Sequence, residues 1–93
     1  MKLRIFEEYI DFYNFLDSHD LLSAHESLEA FKVSYSLINK GCGCGKAGRV
    51  KKVEDEYLKL TSNMDQELLN KIKVAGQFGS IQMYFHGNLI FQG

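Results

Sequence analysis

A mainly α fold, a small helical bundle of three to four amphipathic helices with a C-terminal β-hairpin, follows from three features of the sequence. Apolar residues recur at steps of three and four through most of the chain. Proline is absent, so nothing interrupts long helices. The period changes from the helical value to two only after Gly79. Ninety-three residues make one domain, and 45% apolar with 13% aromatic content is too hydrophobic for a disordered chain.

Leu3, Phe6, Ile10, Tyr13 and Leu16 form one apolar stripe, which predicts a first helix over about 3–17. Phe12 and Phe15 widen it, and Asp17-Ser18-His19-Asp20 breaks it. Leu21, Ala24, Leu28, Phe31, Tyr35 and Ile38 predict a second helix over about 20–39. Its cap is either Asp20 or Ser23, the latter at capping-box spacing from Glu26. Phe31, Val33, Tyr35 and Leu37 also alternate as a strand would. The helical stripe accounts for more positions over a longer span, so residues 31–37 are read as helix; a strand there would give a three-stranded sheet.

Val50, Val53, Tyr57 and Leu60 predict a third helix over about 47–60, interrupted at Thr61-Ser62-Asn63. Met64, Leu68 and Ile72 predict a fourth over about 64–75, with Asn63 and Gln66 as cap pair and Gly76 and Gly79 at its end. Ile81, Met83 and Phe85 then alternate with polar residues, His86-Gly87-Asn88 supplies turn residues, and Leu89-Ile90-Phe91-Gln92 returns. The hairpin is expected at about 80–92. Two strands alone are marginal in water. They must pack on the helices or pair with a further strand, that of a second copy included.

Charge is segregated. Residues 1–30 carry seven acids and two bases. Residues 31–53 carry Lys32, Lys40, Lys46, Arg49, Lys51 and Lys52 and no acid. Acids return at Glu54-Asp55-Glu56. The basic block surrounds Gly41-Cys42-Gly43-Cys44-Gly45-Lys46-Ala47-Gly48-Arg49, the most distinctive stretch of the chain. It is not a phosphate-binding P-loop: Ala47 stands where the metal-binding hydroxyl belongs, and Lys40 where the first glycine belongs. A helix start behind a glycine loop nevertheless suits an anion, and Lys46, Arg49, Lys51 and Lys52 are the candidate anion-binding residues. The plainer reading is a solvated helix face with Lys51 paired to Asp55 and Lys52 to Glu56.

Cys42 and Cys44 are spaced more tightly than structural zinc pairs, and the chain holds no second pair. Zinc could be held only by two chains meeting at this loop, a metal-bridged dimer; otherwise the cysteines are small residues in a tight connection, and no cofactor is expected. No catalytic constellation stands out: His19, His25 and His86 lack placeable acid–base partners, and Ser residues lack a nucleophile motif. The chain is read as not an enzyme. No signal peptide is visible in the charged N-terminal stretch and no run suits a membrane span, so a cytoplasmic setting with free thiols is expected.

Asn39-Lys40-Gly41-Cys42-Gly43-Cys44-Gly45-Lys46, followed by Arg49, Glu54 and Tyr57, resembles small uncharacterised proteins encoded by large tailed bacteriophages of marine bacteria, which similarly end in an aromatic strand like Leu89-Ile90-Phe91. That resemblance implies a viral context inside a bacterial cell and implies no activity. The resulting expectation is a non-catalytic binding or assembly module that presents the basic loop to nucleic acid or an acidic protein surface. The alternative is a structural module that self-associates as a homo-oligomer through the C-terminal hairpin.

Overall fold

A computed structural model describes residues 2–39 and 46–93. The first departure from the sequence reading lies at the N-terminus. Lys2–Phe6 is a strand, β1, and helix α1 runs only from Tyr9 to Ser18. The apparent stripe from Leu3 to Leu16 therefore spans two elements. Phe6 and Leu16 are fully buried, whereas Leu3 and Ile10 are exposed. Glu8 is extended (φ −139°, ψ 156°), which separates strand from helix. The residues α1 buries are Phe12, Phe15 and Leu16.

α1 ends in a Schellman motif. Asp20 takes the left-handed conformation (φ 54°), the Leu21 N–H donates to the Leu16 carbonyl at 2.9 Å, and the Asp20 N–H donates to Asp17 at 3.2 Å. Asp20 therefore closes α1 and does not cap the next helix. Helix α2 starts six residues later than Asp20 and runs Glu26–Asn39. Its cap is a histidine. The Ser27 N–H donates to His25 Nδ1 at 3.1 Å, and the His25 carbonyl accepts from Leu28 and Glu29. Residues 31–37 are helical. Phe31 is buried while Val33 is 60% exposed, which a helix allows and a buried alternating strand does not.

Helix α3 (Lys46–Ser62) passes through the expected interruption at Thr61. The buried Thr61 hydroxyl donates to the Tyr57 and Leu58 carbonyls, so its polar group is satisfied inside the helix. Helix α4 (Gln66–Gly76) is capped by Asp65, which accepts from the Leu68 N–H at 2.7 Å, in place of the expected Asn63. His25 Nε2 lies 3.5 Å from the other Asp65 oxygen, so the caps of α2 and α4 touch. Gln77 supplies the left-handed residue after α4 (φ 57°). Gly76 serves a different need: a Cβ there would sit 2.3 Å from the Phe78 ring.

The hairpin forms as expected, slightly longer, from β2 (Phe78–Phe85) and β3 (Asn88–Gln92). His86 (φ 49°) and Gly87 (φ 80°) are both left-handed, the signature of a type I′ turn, whose twist suits the flanking strands. The strand it needs comes from its own chain. β1 pairs parallel to β2, with Arg4 opposite Ile81 and Phe6 opposite Met83. The sheet order is β1-β2-β3. Parallel neighbours require a crossover, and all four helices lie within it.

Among the described residues four helices and a hairpin are therefore present, but the helices do not make a bundle with a hairpin attached. They cover one face of a three-stranded sheet. Phe6, Ile81 and Met83 on that face are fully buried with Phe12, Phe31, Tyr57 and Ile72. The rings pack edge to face, Phe6 to Phe12 at 5.2 Å and Phe12 to Tyr57 at 5.9 Å. The buried Tyr57 hydroxyl donates to the Tyr84 carbonyl (3.2 Å), tying α3 to β2. No helix among the described residues is long and apolar enough to cross a membrane.

Candidate functional site

α2 and α3 are the most extensively packed pair of helices, and the two ends they turn toward each other are the C-terminus of α2 and the N-terminus of α3. Their burial is uneven along the pair. On α2 the last buried residue is Ser34, and on α3 the first is Val53. Among the described residues between them, none is buried. Beyond Ser34 and Val53 the two helix ends thus form a less buried tip, with Tyr35 and Ile38 still packed against the edge of the core. The acid-free stretch of sequence, bounded by Glu29 and Glu54, covers the same segment.

The structure treats the four candidate cations differently. Arg49 is half-buried and its Nη1 donates to the Leu37 carbonyl at 3.2 Å. That bond satisfies a carbonyl in the last turn of α2, and the charge complements the negative end of that helix. Arg49 therefore clamps the tip. Lys51 and Lys52 are exposed. Among the described residues, neither closes an ion pair with Asp55 or Glu56, so the expected i,i+4 pairing is not made. Lys46 opens α3, whose first turn contains no acid. Its side chain lies outside the described residues, as do Lys40, Gly41, Cys42, Gly43, Cys44 and Gly45. The zinc reading of Cys42 and Cys44 falls there.

Of the acids that follow, Glu54 is engaged elsewhere. Glu54 is 3.8 Å from His86 Nε2, so α3 reaches the hairpin turn through this pair when the histidine is protonated. His86 was expected only as a turn residue; it is that and a contact to α3. His19 Nδ1 lies 2.9 Å from the Phe15 carbonyl. With His25 at its cap, each histidine has a local role. Among the described residues, no group of three or more His, Cys, Asp or Glu is placed to hold a metal ion.

Two surfaces escaped the sequence reading. The first is a tyrosine cluster between α1 and α2. Tyr13 and Tyr35 stack at 3.8 Å with planes 11° apart, and Tyr9 stands 6.3 Å from Tyr35. Partial burial raises the phenol pKa of all three, with Glu54 adding to the effect at Tyr9 and Asp17 at Tyr13. The i,i+4 spacing of Tyr9 and Tyr13 was visible, but their partner on α2 was not. The second is the outer face of the sheet, with Leu3, Ile5, Tyr84 and Leu89. It was hidden because Leu3 was read as part of a helix. The deepest burial effect on a titrating group belongs to Tyr57, whose phenol pKa is pushed far up by loss of solvent and further by Glu8 and Asp11. It stays a neutral hydrogen-bond donor inside the core.

No family model matches the chain, and no curated protein and no solved structure is significantly similar to it.

Proposed function

We propose that this protein is a non-catalytic binding or assembly module that presents the α2–α3 tip to an anionic partner, nucleic acid or an acidic protein surface. One observation carries the reading: the less buried ends of α2 and α3 lie wholly within the stretch of sequence without acids. Segregated charge on a less buried tip is poorly explained by stability, since surface charges contribute little to it. It is well explained by docking to an opposite charge. Lys51 and Lys52 supply exposed ammonium groups that no neighbouring carboxylate neutralises among the described residues. Arg49 holds the two helix ends together so that these groups keep their spacing.

Titration of labelled single-stranded and duplex oligonucleotides tests this. With about three phosphate contacts, affinity should fall about 40-fold between 50 and 200 mM salt. Replacing Lys46, Lys51 and Lys52 together by Ala should remove most of that salt dependence and leave the circular dichroism unchanged. Absent or salt-insensitive binding would overturn the nucleic-acid reading. Retained binding in the triple variant would overturn the tip as its site.

A further inference from the structure

The tyrosine cluster between α1 and α2 differs in geometry from the rest of the aromatic core. Tyr9 and Tyr13 lie one turn apart on α1, and Phe31 and Tyr35 one turn apart on α2, so the two pairs interlock where the helices meet. Tyr13 stands edge-on to the buried Phe31 at 5.9 Å and stacks on Tyr35, with centroids 3.8 Å apart and planes 11° apart. Every other tyrosine ring contact among the described residues is 5.9 Å or longer and tilted or edge-on. Packing alone favours those wider arrangements. Tyr13 and Tyr35 are half-buried, so both stay within reach of solvent.

We propose that Tyr13 and Tyr35 form an oxidative cross-linking site. A one-electron oxidant, such as a peroxidase supplied with hydrogen peroxide, joins their rings as dityrosine and latches α1 to α2. Each phenol gives up one electron and one proton. The two phenoxyl radicals carry spin on the ring carbons ortho to oxygen, in orbitals that point out of the ring faces. A bond forms between one ortho carbon of each ring. The hydrogen on each of those carbons then moves to its oxygen, which restores both aromatic rings. The two electrons and two protons reduce one hydrogen peroxide to two waters. Because the bond forms between faces, a stacked pair already holds the near-attack arrangement and an edge-on pair does not.

The other tyrosines are set against this chemistry. Tyr9 meets Tyr35 edge-on, at 6.3 Å and 71°. Tyr57 is fully buried and its hydroxyl donates to the Tyr84 carbonyl. Tyr84 alternates with the buried Ile81 and Met83, so it stands on the outer face of the sheet, where its hydroxyl donates to Gln82 Oε1 at 3.2 Å. The new bond closes a loop that contains the whole connection from α1 to α2. It restricts the unfolded chain as a disulfide of that span does, and so stabilises the fold. The site rests on none of the cations of the tip.

Oxidation in dilute solution, followed by full thiol reduction and peptide mapping, tests the assignment. The reduction step removes any bridge between Cys42 and Cys44, which would also cost the chain two hydrogens. Wild-type protein should gain dityrosine fluorescence, remain one chain on a denaturing gel, yield a cross-linked peptide that joins Tyr13 to Tyr35, and melt about 10 °C higher. Tyr13→Phe and, separately, Tyr35→Phe should each lower the yield about tenfold or more, because proximity drives the coupling. Both keep the ring, so circular dichroism should report an intact fold. Tyr9→Phe should keep the wild-type yield. Wild-type protein that gains no dityrosine under conditions that couple free tyrosine would overturn the proposal. So would a cross-link that maps to Tyr9 and Tyr35, or one that joins two chains. A cross-link with no rise in the melting midpoint would overturn the latch.

Discussion

The aromatic core and the α2–α3 tip are built from adjacent parts of the same two helices, yet they follow opposite rules. Around Phe31 and Tyr57 every side chain meets others: Phe31 lies 6.1 Å from Tyr57 and 6.3 Å from Phe12, and all three rings are fully buried. About one and a half turns from Tyr57, on α3, Lys51 and Lys52 are exposed, and nearer its start Arg49 makes the hydrogen bond across to α2. Stability is concentrated in the first region and charge in the second. The difference shows that one helix pair can anchor in a core and still carry a binding surface, because burial falls off before the helices end.

Mutations should separate the two regions sharply. The largest effect is expected in the core. Phe31→Ala leaves a cavity among Phe12, Tyr13, Tyr35 and Tyr57, and should cost about 3–5 kcal/mol in denaturant unfolding. For a domain of this size that is a large share of its total stability.

A smaller effect, tunable by pH, is expected from Tyr57. Its folded-state phenol pKa is raised above the ordinary value near 10, chiefly by burial. The unfolded chain therefore loses this proton first. Stability is whole below about pH 10 and falls above it, by up to about 1.4 kcal/mol per pH unit for this group. Denaturant unfolding at pH 9 and at pH 11 should show the loss, and Tyr57→Phe should flatten it. An equally steep loss in Tyr57→Phe would place the effect on the tyrosine cluster instead.

The smallest effect on folding should come from the tip. Lys51→Ala and Lys52→Ala should each change stability by less than about 0.5 kcal/mol, since neither side chain is buried or paired among the described residues. A larger loss would mean that these lysines serve the fold, and would blunt the contrast between the two regions.

Local chemistry that needs only neighbours in sequence was legible. The second, third and fourth helices, the helical state of 31–37 and the His86-Gly87 turn all rest on contacts or dihedrals set within a few residues. The basic block was legible as charge, because charge requires no geometry. Lys2–Phe6 was not. Its residues satisfy helical spacing with Ile10 and strand alternation among themselves, and a five-residue segment contains too few positions to choose. The choice is made by β2, more than 70 residues away, whose backbone groups need a partner and find one in β1. Caps failed for the same reason. Asp20, Ser23 and Asn63 are all competent, but Asp20 is taken by the end of α1, and the caps in place, His25 and Asp65, meet each other across two helices.

The sequence by itself therefore determined the helical periodicity, the hairpin turn and the separation of charge, since each depends on side-chain order along a short run. Tertiary structure alone decided that the N-terminus is a strand, that one sheet face lies open, and that burial falls off along the basic segment. Those three outcomes depend on which distant backbone groups pair and on where packing against the sheet stops. Neither quantity is carried by any single stretch of chain.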